Sequence, residues 1–298
     1  MQRIVITGLA FLLFTFSSVE LSVASKYSSV KKQKEISSII NVSYSAVYAK
    51  PAVKSELVTE VLLGDEFKVL KINDEWVYGS IPSQNGYSGW VKKKNIISPL
   101  KDSPFFKGFH LVNVRMPEEK LLLKDNSYID VYAGTRLPLL DINNGYYVVA
   151  VPNGLIGYLP ADSAIIENED FGKNVTPEDI LDAVDFYESR YKWGGITTSG
   201  MDCSGFVYSV FRRNGIFMER NSYMQAKEGM EVPFNNLRTG DLVFFKTKGN
   251  RISHVGIYMG QGNFMHSSKK NGVYISSLLE GYYKKRFVKA MRILNSTP

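Results

Sequence analysis

Gly200-Met201-Asp202-Cys203-Ser204-Gly205-Phe206 carries the one cysteine of a 298-residue chain, and the residues that follow decide what that cysteine can be. Phe206, Val207, Val210 and Phe211 recur at helical spacing and Gly215 offers a C-terminal stop, so a helix is predicted from about Cys203 to Asn214. Cys203 then stands at a helix start. Unpaired backbone N–H groups and the positive end of the helix dipole favour thiolate over thiol there. The same N–H groups could hold a developing oxyanion. A single cysteine closes no internal disulfide, so it is either a buried apolar residue or a reactive thiol. The polar neighbours Asp202 and Ser204 argue against the first reading.

A cysteine nucleophile needs a base, and the chain has three histidines. His254 opens the apolar run His254-Val-Gly-Ile-Tyr-Met259, and His266 closes Asn263-Phe-Met-His266. With Gly260-Gln261-Gly262 as a three-residue hairpin loop, Gly256 faces His266 and the two histidines share one face of the hairpin. One imidazole can then orient the other. A two-residue loop would put them on opposite faces. His110, beside Phe105, Phe106 and Phe109, reads as a packing residue.

Around this centre, Thr176-Pro177-Glu178-Asp179 has the composition of a helix start, with Ile180, Leu181, Val184 and Tyr187 or Glu188 at helical spacing after it. Strands are expected at 241–246, 254–259, 263–267, 273–276 and 288–293. Helices first and antiparallel strands afterwards indicate an α+β domain over 174–294. The preceding part reads as short strands, and it repeats itself. Gly64-Asp-Glu-Phe-Lys-Val-Leu-Lys-Ile-Asn73 aligns without gaps to Gly134-Thr-Arg-Leu-Pro-Leu-Leu-Asp-Ile-Asn143. Farther on, Gly86-Tyr-Ser-Gly-Trp-Val91 meets Gly154-Leu-Ile-Gly-Tyr-Leu159. Each copy has the size of a small open barrel, with boundaries at 40–98 and 119–166 and a connector at 99–118.

Residues 1–24 read as a signal peptide: Arg3, an apolar run to Phe14, and Ser22-Val23-Ala24 as a cleavage site. The apolar run is too short to span a bilayer comfortably, and stable membrane insertion after cleavage is not expected. No cysteine stands directly after it, which excludes a lipoprotein attachment. The chain is therefore expected to be exported, to the periplasm or to the cell exterior and wall. The formal charge of +7 suits an anionic environment, but the lysines are scattered among acids, so no nucleic-acid patch is evident. Zinc-ligand spacing is absent from the sequence, and neither metal nor other cofactor is expected.

The repeated pattern resembles bacterial SH3-type domains. Tyr191-Lys-Trp-Gly-Gly195, Met201-Asp-Cys-Ser-Gly-Phe206, Leu237-Arg-Thr-Gly-Asp-Leu-Val-Phe-Phe245, His254-Val-Gly-Ile-Tyr258 and Phe264-Met-His266, in that order, resemble the NlpC family of cell-wall cysteine peptidases. The resemblance implies a multidomain chain: two small SH3-like β-barrels, then a papain-like α+β peptidase domain with its cysteine on a helix against an antiparallel sheet. It also implies roles. Cys203 is the nucleophile, His254 the general base and acid, and His266 orients that base. Tyr191 binds substrate or oxyanion.

Two SH3-type domains before such a domain are similar to γ-D-glutamyl-L-diamino-acid endopeptidases, which act on stem peptides with a free L-alanine amine. Asp202, Ser204 and Ser222 match the positions that hold the peptide, and an ammonium needs such acceptors. Tyr87, aligned with Leu155 of the second copy, and an acid of the first barrel, Glu56 in preference to Glu60, are implied to wall off the amine site. The expected partner is a peptidoglycan-derived peptide, and the expected state a monomer. The competing readings are a wall-binding module with subsidiary or no catalysis, and an amidase or acyltransferase on the same scaffold.

Overall fold

Short β-branched and aromatic runs punctuated by Gly, Asn and Asp fold into two sheets of one design. The computed structural model describes residues 36–294; the proposed signal peptide, 1–24, lies outside them. The first sheet contains β1 (Ile36–Ile40), β2 (Tyr44–Tyr48), β3 (Leu57–Leu62), β4 (Glu66–Asn73), β5 (Trp76–Ile81), β6 (Tyr87–Lys92) and β7 (Ile96–Ile97), in the order β3-β2-β6-β5-β4-β1-β7. The second contains β8 (Leu111–Val114), β9 (Glu118–Leu123), β10 (Tyr128–Tyr132), β11 (Arg136–Asn143), β12 (Tyr146–Ala150), β13 (Ile156–Pro160) and β14 (Ala164–Ile166), in the order β10-β9-β13-β12-β11-β8-β14. Adding seven to each strand number converts the first order into the second. The sequence repeat is therefore a repeat of topology.

The stretch 99–118 is not only a connector, as the sequence suggested. Its Leu111–Val114 pairs with β11 and β14 inside the second sheet, where Val112 and Val114 are fully buried. The first sheet likewise begins at Ile36, ahead of residue 40. His110 does not pack: it is exposed, and its carbonyl accepts from Leu139 N–H.

The third part joins short helices to a second kind of sheet. Thr176 caps α1 (Pro177–Leu181) through a reciprocal bond with Asp179. The helix stops at Leu181 and continues as a 3-10 turn over Asp182–Phe186, shorter than its apolar spacing suggested. Residues Ile196–Thr197 (β15) and Gly200–Met201 (β16) form a small ribbon leading into α2 (Cys203–Arg213), followed by α3 (Ser222–Gln225). Then come β17 (Met230–Val232), β18 (Leu242–Phe245), β19 (His254–Gly260), β20 (Asn263–Ser268), β21 (Gly272–Ser277), α4 (Gly281–Lys284) and β22 (Phe287–Arg292). The sheet order is β17-β22-β18-β19-β20-β21, antiparallel throughout. Alternation along it is clear. Leu242, Phe244, Val255, Ile257 and Met265 join the core around Phe206, Val210 and Phe211 of α2, while Val243, Phe245 and Phe264 form a second cluster. No helix among the described residues is long and apolar enough to cross a membrane.

Helix α2 is also where the barrels attach. Arg212 is fully buried; its guanidinium pairs with both oxygens of Asp65 (Nη2–Oδ1 2.5 Å, Nη1–Oδ2 3.1 Å) and donates from Nε to the Gly134 carbonyl at 2.8 Å. Asp65 and Gly134 belong to different copies of the repeat. In the first, Asp65 also accepts from Leu62 N–H; in the second, Thr135 performs that turn bond for Tyr132 N–H. Only the first copy therefore offers a carboxylate to Arg212. Gly134 has φ +81°, and a Cβ there would lie 2.7 Å from the Arg212 side chain.

Removing one partner of a buried ion pair strands the other charge, at about 3–5 kcal/mol. Arg212→Ala is expected to lower unfolding free energy by about that amount, read from urea denaturation. A loss under about 1 kcal/mol would show that the pair behaves like a surface bridge.

Candidate active site

Most of the residues singled out from sequence converge on one cavity of about 670 Å³, with His266 fully buried behind His254 rather than in its lining. Cys203, Asp202 and Ser204 reach it from the start of α2, Tyr191 from the segment before β15, Ser222 from α3 and His254 from β19. Glu56, Val58 and Tyr87 reach it from the first sheet. Glu60 does not line it. That carboxylate is fully buried between barrel and peptidase domain, where it accepts from Lys192 Nζ at 2.5 Å and Ile196 N–H at 3.0 Å.

The cysteine is placed by its neighbours. Asp202 is the N-cap of α2, its Oδ1 accepting from Gly205 N–H at 2.7 Å. The same carboxylate accepts from Gly194 N–H, from Ser204 Oγ, and from Nη1 and Nη2 of Arg220. A carboxylate offers about four lone-pair sites, so Asp202 is saturated by protein donors. Arg220, buried beside it, extends Nε to Thr59 Oγ1 of the first barrel at 2.9 Å. Glycines make this approach possible: at Gly194, φ +75°, a Cβ would lie 2.6 Å from the Leu57 carbonyl of the barrel.

The histidines share a face, by a route that mixes the two loops considered from sequence. Gln261 and Gly262 form a two-residue turn, with φ +51° and +76°, between paired Gly260 and Asn263. A bulge at Met259 adds the third residue, so Ile257 pairs with Met265 and Gly256 falls opposite His266. A Cβ on Gly256 would stand 3.0 Å from His266 Cβ and 2.6 Å from Phe264. The bare glycine leaves room for His254 Nε2 to meet His266 Nδ1 at 2.7 Å. His266 Nε2 lies 3.1 Å from Ser276 Oγ on β21. Tyr283 of α4 stacks on His254 (5.6 Å, 20°) and meets His266 edge-on.

Electrostatics depart from the sequence expectation. Burial, then the Asp202 charge, push the Cys203 thiol up to about 12, against the Val255 and Ser204 backbone N–H groups, which pull it down. Burial pushes His254 down to about 4, and burial with the neighbouring imidazole takes His266 well below its ordinary value. Burial thus favours the neutral thiol and the neutral imidazole, although Cys203 itself is only partly buried and opens to the cavity. Helix-start donors are outweighed by desolvation. Tyr191 is raised, chiefly by burial, so its phenol remains a donor.

Several contributors were not legible beforehand. Trp193, 58% exposed, lines the cavity and donates from Nε1 to Glu56 Oε1 at 3.0 Å. Asn221 Nδ2 donates to Tyr87 OH at 3.3 Å. Lys248 and Lys269 add cationic lining from the loops after β18 and β20. Trp193 and Asn221 lay inside or beside the quoted motifs; Ser276, Tyr283 and the lysines carried no sequence signal. Among the described residues no group of three or more His, Cys, Asp or Glu side chains is placed to hold a metal.

A cysteine at a helix start, beside a hairpin histidine pair on an antiparallel sheet and behind two SH3-type sheets, defines an α+β cysteine peptidase of the cell-wall class. Residues 188–292 match the NlpC/P60 family, and residues 47–96 match the bacterial dipeptidyl-peptidase Sh3 domain. Over 245 residues the chain is 34% identical to the γ-D-glutamyl-L-lysine dipeptidyl-peptidase of Bacillus subtilis, covering 78% of this chain and 80% of that one. It is 45% identical over 132 residues to the murein DD-endopeptidase MepS/murein LD-carboxypeptidase of Escherichia coli K12, covering 43% of this chain and 70% of that protein. The crystal structure of an NlpC/P60 family protein from Bacillus cereus superimposes with a TM-score of 0.81 at 25% identity, over 87% of this chain and 99% of that one. The chain belongs to the NlpC/P60 family of peptidases.

Two outcomes test the electrostatics. Alkylation of Cys203 by iodoacetamide is expected to accelerate steadily from pH 7 to 10; a plateau across pH 5–8 would mean a preformed thiolate–imidazolium pair. The histidines bind fewer protons folded than unfolded between about pH 4 and 6.5, so stability is full above 6.5 and falls as pH drops through that window. Thermal midpoints should follow this slope, and His266→Gln should flatten it. An unchanged slope would refute the buried neutral pair.

Proposed function

We propose that the chain hydrolyses the amide between γ-D-glutamate and the diamino acid of peptidoglycan stem peptides that begin with a free L-alanine amine. The observation that carries this reading is the wall built by the first barrel: Glu56 and Tyr87 enter the cavity that holds Cys203 and His254. Glu56 is the acceptor for the ammonium. Among the described residues it receives only the Trp193 N–H, whereas Asp202 is saturated. Tyr87, tethered by Asn221, and the hydroxyls of Ser204 and Ser222 complete the amine end. Ser204 Oγ already joins Asp202 and Arg220, so it acts from a fixed orientation. Lys248 and Lys269 offer cations to the carboxylates of the diamino acid.

The chemistry follows from the neutral resting pair. Cys203 Sγ attacks the γ-carbonyl while its proton passes to His254, so charge separates only as the carbon–sulfur bond forms. Backbone N–H groups at the start of α2 and the Tyr191 hydroxyl stabilise the oxyanion, an effect worth about 10²–10³ per donor in related chemistry. His254 returns the proton to the leaving amine, and water, deprotonated by the same imidazole, releases the acyl group from sulfur. His266 holds the plane of His254. In this reading residues 1–24 direct export, the enzyme works as a monomer in the periplasm or at the wall, and meso-diaminopimelate is the diamino acid.

Mass analysis of products from L-Ala-γ-D-Glu-diaminopimelate should show release of L-Ala-γ-D-Glu. Cys203→Ala should abolish it. A muramoyl cap on the alanine amine should suppress cleavage, and Glu56→Gln should raise KM about tenfold, ~1.4 kcal/mol, with kcat little changed. Equal cleavage of capped and free peptides would sink the amine requirement; cleavage by Cys203→Ala would sink the nucleophile.

A further inference from the structure

The buried histidine pair has a proton direction, and that direction gives a task to a residue outside it. One proton is shared between His254 Nε2 and His266 Nδ1, 2.7 Å apart, and one between His266 Nε2 and Ser276 Oγ, 3.1 Å apart. With both rings neutral, two arrangements satisfy every pairing. In one, His254 donates from Nε2, His266 accepts at Nδ1, and His266 donates from Nε2 to Ser276. In the other, Ser276 donates to His266, His266 donates from Nδ1 to His254, and the remaining proton of His254 sits on its Nδ1. That nitrogen has no hydrogen-bond partner among the described residues, and His254 lines the cavity with Cys203. Only the first arrangement leaves Nδ1 a lone pair to take the thiol proton.

We propose that Ser276 is a positioning residue whose hydroxyl accepts from His266 Nε2–H and so holds the pair in the catalytically competent direction. The inference rests on the reading of Cys203 as nucleophile and His254 as base. It is consistent through the cycle. When His254 takes the proton from Sγ, both of its nitrogens carry hydrogen, and Nε2–H still donates to His266 Nδ1. His266 still donates to Ser276. No proton leaves His266; the one received by His254 goes to the leaving amine. A residue that only filled space at position 276 would not discriminate between the two arrangements.

The fold supplies the geometry. In the β20–β21 register Ser276 lies opposite Phe264, so it shares a face with His266 one step along the strand. Phe264 stacks on His266 at 4.7 Å and Tyr274 packs at 4.5 Å, leaving Nε2 to point at the serine. His266 is fully buried, so an Nε2–H without an acceptor would be a stranded donor. Ser276 is only partly buried, so accepting from His266 does not commit its own O–H to a sealed core.

The test reads the tautomers directly. With three histidines in the chain, ¹⁵N-histidine-labelled protein gives a sparse long-range ¹H–¹⁵N spectrum. The wild type is expected to show His254 and His266 both protonated at Nε2 at pH 7.5. Ser276→Ala should mix the tautomers and lower kcat about 10–100-fold, with KM within about twofold, and Ser276→Thr should restore both readouts. Ser276→Asp, able only to accept, should retain activity and move the acid limb of the pH profile upward, because the carboxylate favours the imidazolium. Should Ser276→Asp not fold, the wild-type, Ala and Thr spectra decide. His266 protonated at Nδ1 in the wild type, or Ser276→Ala with unchanged tautomers and kcat, overturns the proposal. Activity surviving in Cys203→Ala refutes the nucleophile reading instead, whatever the spectrum shows.

Discussion

A buried guanidinium has to find acceptors for its donors, and Arg212 finds them on both barrels at once. Burial penalises its charge and the Asp65 carboxylate compensates, holding it firmly protonated. Tyr208, one turn earlier on the same helix, shares the guanidinium and donates its hydroxyl to the Ser83 carbonyl of the first barrel. Such a cluster contributes modestly to net stability against an apolar alternative, yet it admits very few relative placements of its partners. It therefore fixes where the first barrel stands relative to α2, and α2 carries Cys203 at its other end.

Arg220 repeats the device at the site itself. Its Nε engages Thr59 of the barrel while its two amino groups hold the Asp202 cap. The carboxylate before the nucleophile thus serves the helix and the domain junction together. Glu60, buried against Lys192 and Ile196 N–H, is a third anchor in the same strand region of the barrel. These contacts bring Glu56 and Tyr87 to the cavity rim, and burial around the rim pushes the thiol up and the imidazole down, toward their neutral forms.

The α+β order, the catalytic helix and the hairpin strands were readable because each is written locally, in apolar spacing and end signals. The repeat was readable at 64–73 and 134–143, and its shared strand order follows from it. What escaped was non-local. Leu111–Val114 looked like linker because a short strand gains its identity only from the strands on either side of it. The helix-start donors lower the thiol as the sequence suggested, but burial, which opposes them, is a property of everything packed around the site and has no local signature. The hairpin hinged on a bulge at Met259, which leaves no composition signature. Glu56 and Glu60, four residues apart, could not be separated by sequence alone; docking sends one to the cavity and the other to the interface.

The two copies of the repeat have divided their labour. Asp65, Glu56, Glu60 and Tyr87 belong to the first, and Arg212 meets the second only through a backbone carbonyl. The cavity residues Glu56 and Tyr87 and the groups Cys203, His254 and His266 therefore reside on different sheets and elements. Changes confined to the first copy can reshape that side of the cavity while the sulfur and its imidazoles remain untouched. The second copy meets the peptidase domain through side chains as well, with Tyr132 and Ala133 in its core and Arg115 against Asp182, so it is held by different contacts from the first.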